Sequence, residues 1–298
     1  MPISSISPLP SMSNVSQNLT SEKLLSDLKT NIKQVRNLPN GVIYSPFNNE
    51  DMVIQAIGIN TARVLNGKQP LPMICSMLNR GALKSTISDV KSTEFSGRLK
   101  DGAVYENKMT SYIKTIGIKD VHAAFPSEIK RLGEYQSLNQ LEVIDPKSLP
   151  DNSIKNIYVI GHGEAGRPHL YETVKCGSAS KSIDNVMCEI HSLVRQKANA
   201  DVKIKMTACE SADRETLQSF KQTNDIVQRK KGVEPLANSA KTEADKYFPK
   251  ARVFGYHGLG ISRGSEYVSQ ARCLDADFDK TTGNVSKWVK ASTVRKEF

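Results

Sequence analysis

Two textures of hydrophobic pattern divide the chain. In the first third the apolar positions fall at helical spacing. Leu24, Leu28, Ile32 and Val35 recur three or four residues apart behind the cap residues Thr20 and Ser21. Asp51 to Leu65 predicts a second helix closed by Asn66-Gly67, and "MICSMLNR" after Pro70 and Pro72 predicts a short third one. Residues 18–90 therefore predict a small helical region. From about Ser92 strands and helices alternate. "EFSGRL", "QLEVID", "NIYVIG", "DVKIKMTAC" and "ARVFGYHG" predict strands; "YENKMTSYIKTIG", "SIDNVMCEIHSLVRQKA" and "LANSAKTEADKYF" predict helices. In the second of these helices Ile183, Val186, Met187, Ile190, Leu193 and Val194 share one side. "FDKTTGNVSKWVKAS" predicts a C-terminal β-hairpin around Thr282-Gly283-Asn284. The alternation implies an α/β domain over 91–298, with a mostly parallel central sheet flanked by helices.

Composition changes this picture at the N-terminus. Residues 1–17 are rich in Ser, Pro, Asn and Met and poor in charge, which predicts a disordered leader. It has neither the basic start nor the apolar core of a secretory signal peptide. No apolar run is long enough to span a bilayer, so no transmembrane segment is expected. The five cysteines are odd in number and widely spaced, which fits a reducing compartment rather than a disulfide framework. The net charge of +10 points to a polyanionic partner or to a generally basic surface. No zinc finger, aromatic RNP pattern or helix-turn-helix accompanies it, so a nucleic-acid partner is not expected.

The candidate chemistry centres on "IYVIGHGEAG", Ile157 to Gly166. The letters spell G-x-G-x-x-G after a strand, the form of a dinucleotide loop. Such a loop must open directly into a helix that holds the pyrophosphate. Here Gly166 leads into "RPHLYETVKCGSASKS", a long loop, and the acidic residue expected about 20 positions on is missing. The alternative is a catalytic His162. Cys209 falls just past the end of the following strand, so the two residues would meet at one sheet edge, where α/β proteins gather reactive groups. Their separation, roughly fifty residues, is that of a caspase signature. A Cys–His pair provides a nucleophile and its base. His257 is a rival base. His169, Cys176, Cys188 and His191 match no common zinc spacing, and no metal is expected.

Strand-Gly-His-Gly followed by strand-x-x-Cys-x-Ser resembles the caspase-like cysteine peptidases. The closer likeness is to the inositol hexakisphosphate-activated cysteine protease domain of large clostridial toxins and multifunctional RTX toxins, and it runs from about Glu94 to the C-terminus. "IDPKSLPDNSIKNIYVIGHGEAG", "IKMTACES", "RLKDGAVYENKMTSYIK" and "GNVSKWVKAS" carry it. The resemblance implies Cys209 as nucleophile, His162 as base and Asp101 as the carboxylate that orients the imidazole. The backbone N–H groups of Gly163 and Cys209 would hold the oxyanion. It also implies inositol hexakisphosphate as allosteric activator, bound by Lys114, Lys155 and Lys290, with Arg98, Arg272 and Lys287 as further members. Ala208 and Glu210 in the nucleophile turn and a glycine-rich "YHGLGISRGSEYV" depart from the family. Its members cut themselves free of giant toxins, often after leucine. The short chain here suggests cleavage of a host protein or of its own leader instead. The leader resembles that of type III secreted bacterial effectors, which implies action in the host cytosol and adds a secretion chaperone as a partner. Two other functions fit the same residues: a polyanion- or partner-binding effector without turnover, and a Cys-dependent acyltransferase. Residues 18–90 could bind a target, the chaperone or the protease domain.

Overall fold

The computed structural model describes residues 40–116, 126–175, 177–222, 232–261 and 271–298. The expected leader and the helix expected between Leu24 and Val35 lie outside the described residues.

A six-stranded sheet is the frame for everything else. In chain order its strands are β1 (Gly41–Tyr44), β2 (Met73–Ile74), β3 (Ile154–Val159), β6 (Ala198–Met206), β7 (Arg252–Tyr256) and β11 (Arg295–Glu297). They lie side by side as β2-β1-β3-β6-β7-β11. All neighbours are parallel except β11, which runs antiparallel to β7. The α/β class with a mostly parallel sheet is therefore as the alternation predicts. Tyr44 is level with Val159, and Val159 with Met206. The loops that begin at Ser45, Ile160 and Thr207 thus leave from one edge. The chain runs outward from β1 to β2 and then returns to place β3 on the other side of β1. That reversal opens a crevice at the strands' carboxyl ends.

The helices are α1 (Glu50–Leu65), α2 (Met77–Ser96), α3 (Gly102–Ile116), α4 (Pro126–Asn139), α5 (Ile183–Val194) and α6 (Leu236–Ala244). Ile157, Val159, Ile204, Met206 and Val253 are fully buried and join Val186, Met187, Ile190 and Val194 of α5 and Leu236 and Ala240 of α6 in one core. Each such aliphatic side chain contributes roughly 1.5–3 kcal/mol by leaving water. The alternate positions Tyr158, Lys205 and Tyr256 look to the other face, where Gly58 and Ile59 of α1 lie. No helix of the described residues is long and apolar enough to cross a membrane.

Five sequence expectations change. The stretch 18–90 is not only helical: β1 and β2 are strands of the central sheet, and the expected boundary after residue 90 falls inside α2. β1 has four residues, all buried, too few for a periodic signal. "MICSMLNR" divides into β2 and the start of α2. Ser76 caps that helix by accepting from Asn79 N at 3.3 Å. α2 then continues to Ser96 on the buried stripe Leu83, Ile87 and Val90 and absorbs half of the strand expected at "EFSGRL". "QLEVID" makes one parallel bridge, Val143 to Met73, and is no strand. At the C-terminus the turn is present and an antiparallel Phe278–Val285 bridge closes it. The strand after it, β10 (Val289–Lys290), pairs with β9 (Ala271–Cys273) and not within the hairpin. β9 also pairs with β8 (Leu259–Ile261), forming a small sheet beside the edge of the large one.

Candidate active site

His162 follows β3 and Cys209 follows β6, on adjacent strands at the same edge. A Cβ built on Gly163 would lie 2.6 Å from the Cys209 carbonyl oxygen and 3.5 Å from its nitrogen. Only glycine lets the histidine loop approach the nucleophile turn this closely. The His162 backbone is fixed by two hydrogen bonds with Tyr171 of the β4 (His169–Tyr171) and β5 (Ser180–Ser182) hairpin: His162 N to Tyr171 O at 3.0 Å and Tyr171 N to His162 O at 2.9 Å.

The carboxylate on His162 is Asp51, not Asp101. His162 Nε2 lies 3.1 Å from Asp51 Oδ2. Asp51 stands in the first turn of α1, just after the cap Asn49, whose side chain accepts from Met52 N. The Asn49 amide also donates to Glu172 O at 2.8 Å and so joins the start of α1 to the hairpin behind His162. Asp101 lies exposed in the turn ahead of α3, where Gly102 packs against Tyr135 of α4. With Nε2–H directed to Asp51, Nδ1 is the nitrogen left for proton exchange. It has no partner among the described residues.

Three features surround the Cys209 sulfur and its turn. Gly260 N donates to Cys209 Sγ at 3.2 Å. The N–H groups of Gly163 and Cys209 have no acceptor among the described residues, which leaves both free to serve as oxyanion donors. Glu210, directly after Cys209, takes φ 51°, a left-handed conformation that only a small share of non-glycine residues adopt. Its N–H donates to Gly258 O at 2.8 Å and its Oε2 accepts from Ala165 N at 3.3 Å, which fixes the strained residue from both sides.

Beneath the turn lies a second carboxylate–imidazole pair. Asp213 Oδ1 is 2.5 Å from His257 Nδ1, and Asp213 Oδ2 accepts from Gly258 N at 2.9 Å. Both side chains are almost wholly buried. Gly166 N also donates to the Asp213 carbonyl at 2.9 Å, so Asp213 joins the histidine loop, the nucleophile turn and the end of β7. His257 is thus paired with Asp213 and 5% exposed, whereas the His162 side chain is 19% exposed.

Five of the six residues expected to bind the polyanion have described side chains, and Arg98 and Lys155 sit on other elements than Arg272, Lys287 and Lys290. Arg98 is paired with Glu94 and Glu134 between α2 and α4. Lys155 is exposed near the amino end of β3, the end opposite to His162. The side chain of Lys114, in α3, is outside the described residues. Lys287 and Lys290 are exposed at β10. Arg272, only 4% exposed, acts on the nucleophile turn: Nη2 donates to Thr207 O at 2.7 Å, and Nη1 to Ala208 O at 3.1 Å and to Gly258 O at 3.3 Å. Burial lowers the Arg272 pKa, and the neighbouring Cys209, Tyr256 and Asp213 oppose that. Among the described residues no group of three or more His, Cys, Asp or Glu gathers as metal ligands. Cys176 lies outside them.

The sequence reading missed Asp51, Asp213 and Gln55, whose Oε1 accepts from Gly161 N at 3.0 Å. One signal for Asp51 was available: "GVIYSPFNNED" is an apolar run, a break and an Asn cap, which is a strand entering a helix. No family model, no curated protein and no solved structure matches the chain.

Proposed function

We propose that the protein is a cysteine endopeptidase with Cys209 as nucleophile, His162 as base and Asp51 as the group that orients the imidazole. The observation that carries this reading is the close approach of Gly163, next to the Asp51-paired His162, to the Cys209 backbone, beside two backbone N–H groups without an acceptor among the described residues. Cys209 Sγ attacks the scissile carbonyl carbon while its proton passes to His162 Nδ1. The tetrahedral oxyanion is held by Gly163 N–H and Cys209 N–H. The C–N bond then breaks, and the leaving amine takes the proton from His162. Water, giving its proton to His162, attacks the thioester; the C–S bond breaks and the thiol is restored.

The proposal includes activation by inositol hexakisphosphate in the cytosol of a host cell, with a host protein or the chain's own leader as substrate. The charge of +10 supports a polyanion. Lys287 and Lys290 support its place, since both are exposed and without a carboxylate partner among the described residues. β10 pairs with β9 in a register that sets Val289 opposite Arg272, the residue that holds the Thr207 and Ala208 carbonyls. An anion drawn onto β10 would thus stiffen the nucleophile turn through Arg272. Composition of the leader supports type III-like delivery, with a secretion chaperone as partner.

The test is incubation of the purified protein with an electrophilic peptide probe, with and without inositol hexakisphosphate. Labelling of Cys209 that needs His162 and rises with the polyanion is expected. Binding of the polyanion without labelling in either condition would sink the peptidase reading. Labelling independent of the polyanion would sink only the activation.

A further inference from the structure

Arg272 is a buried cation whose partners are carbonyls. It is 4% exposed, and no carboxylate pairs with it among the described residues. Three backbone oxygens take its donors instead: Thr207 O at 2.7 Å, Ala208 O at 3.1 Å and Gly258 O at 3.3 Å. The guanidinium lies over the Tyr256 ring, 4.8 Å from its centre. Burying a charge is costly, and carbonyl dipoles offset that cost only while they stay aimed at it. The guanidinium and the three carbonyls therefore fix one another.

Two of those carbonyls are consecutive. Along a strand, successive carbonyls point to opposite sides. Thr207 still follows β6, since its N–H donates to Val159 O of β3 at 2.9 Å. At Ala208 the alternation ends, and its carbonyl turns to the same guanidinium as that of Thr207. The planar fork of arginine meets both at once, a geometry that the compact ammonium of lysine does not match.

The consequence falls on Cys209. The Ala208 carbonyl and the Cys209 N–H belong to one peptide unit, planar and trans, so they point in opposite directions. Holding Ala208 O on Arg272 turns the Cys209 N–H to the side away from the guanidinium. That N–H has no acceptor among the described residues. The positive charge on the carbonyl also polarises the unit and makes its N–H a stronger donor. Gly260, whose N–H meets Cys209 Sγ at 3.2 Å, stands opposite Arg272 in the pairing of β8 with β9. One hairpin thus positions both the sulfur and the peptide unit before it.

We infer that Arg272 is the positioning residue of the oxyanion hole: by holding Ala208 O it aims the Cys209 N–H at the oxygen of the carbonyl under attack. The inference rests on the peptidase reading and names what orients one of its two donors. It gives Arg272 a role other than the polyanion contact that the sequence resemblance implies.

Two reagents, each used with inositol hexakisphosphate present, separate this role from general support of the turn. Iodoacetamide alkylates Cys209 with loss of iodide and forms no oxyanion. A peptide aldehyde adds Cys209 Sγ to its carbonyl carbon, and the thiol proton passes through His162 to the former carbonyl oxygen, which occupies the oxyanion hole. Arg272→Lys keeps the charge and loses the fork. It should weaken aldehyde inhibition roughly a hundredfold, the cost of one oxyanion donor, and leave Cys209 alkylation within about threefold of the parent. Equal losses with both reagents would make Arg272 a support of the turn alone, and no loss with either would leave the donor aimed without it. Both results overturn the inference and leave the peptidase standing. A crystal structure of the parent's aldehyde adduct answers independently of how the variant folds. The adduct oxygen should lie about 2.7–3.1 Å from Cys209 N while Nη1 stays on Ala208 O. An oxygen remote from Cys209 N, or an Arg272 released from Ala208 O, overturns the inference. An aldehyde that never reacts with the parent sinks the peptidase reading, and the inference with it.

Discussion

Replacing Asp213 by alanine isolates the clamp beneath the nucleophile turn. In the native protein one oxygen of Asp213 takes the His257 Nδ1–H at 2.5 Å and the other takes Gly258 N–H at 2.9 Å. The two side chains are 0% and 5% exposed, so water cannot replace the lost acceptors. Each stranded buried donor costs about 1–3 kcal/mol, and two are stranded here, with a cavity left beside them. Asp213→Ala should therefore lose about 3–5 kcal/mol. Asp213→Asn keeps one acceptor oxygen and should lose about half as much, near the roughly 1.5–3 kcal/mol of a hydrogen bond to a charged group. Urea unfolding followed by circular dichroism measures both. With a slope of about 2–3 kcal/mol/M the alanine midpoint should fall by about 1–2 M. The same side chain ties Gly258, at the end of β7, to the Cys209 turn, so the rate of Cys209 alkylation should change in the asparagine variant under native conditions. Two variants within about 0.5 kcal/mol of the parent, with unchanged alkylation, would refute the assignment of Asp213 as a clamp.

Three further outcomes are expected. Asp51→Asn should lower turnover by about 10²–10⁴-fold through loss of the correct imidazole tautomer and orientation, while Asp101→Asn leaves it unchanged; steady-state kinetics on any cleaved peptide decide between the two carboxylates. Burial, aided by the charges of Asp213 and Asp275, holds the Glu210 carboxyl above its ordinary 4.5. A raised carboxyl favours the fold while protonated, and that stability is lost as pH rises through the raised value. Glu210→Gln should thus match the parent near pH 4 and unfold at higher urea than the parent at pH 7. Burial pushes the Cys75 and Cys273 thiols up to about 11, so iodoacetamide at pH 7 should spare both and modify exposed Cys188 and partly exposed Cys209, as read by peptide mass spectrometry.

Some of the longer elements with one apolar face could be read directly, although α4 was not. α5 and β6 lie close to their predicted positions because their patterns repeat often enough to separate period 3.6 from period 2. β1 and β2 could not be read, with four and two residues. Their strand state comes from parallel pairing with β3 and with each other. α2 was readable from Leu83, Ile87 and Val90 but was obscured by an apparent alternation at its end.

The candidate site divides along the same line. His162 and Cys209 each follow a strand directly, and a strand's end is a local property, so the sequence by itself determined that both reach one edge. The partners of these residues are a different matter. Asp51 meets His162 across 111 positions, Gln55 meets Gly161 across 106, and Arg272 reaches Ala208 across 64. Aspartate and arginine are common surface residues, and nothing in their local spacing marks one among many. Asp101 fitted the sequence as well as Asp51 did. Only the tertiary structure decided which of the two lies beside His162, because a carboxylate reaches an imidazole through distance in space, which chain order does not encode.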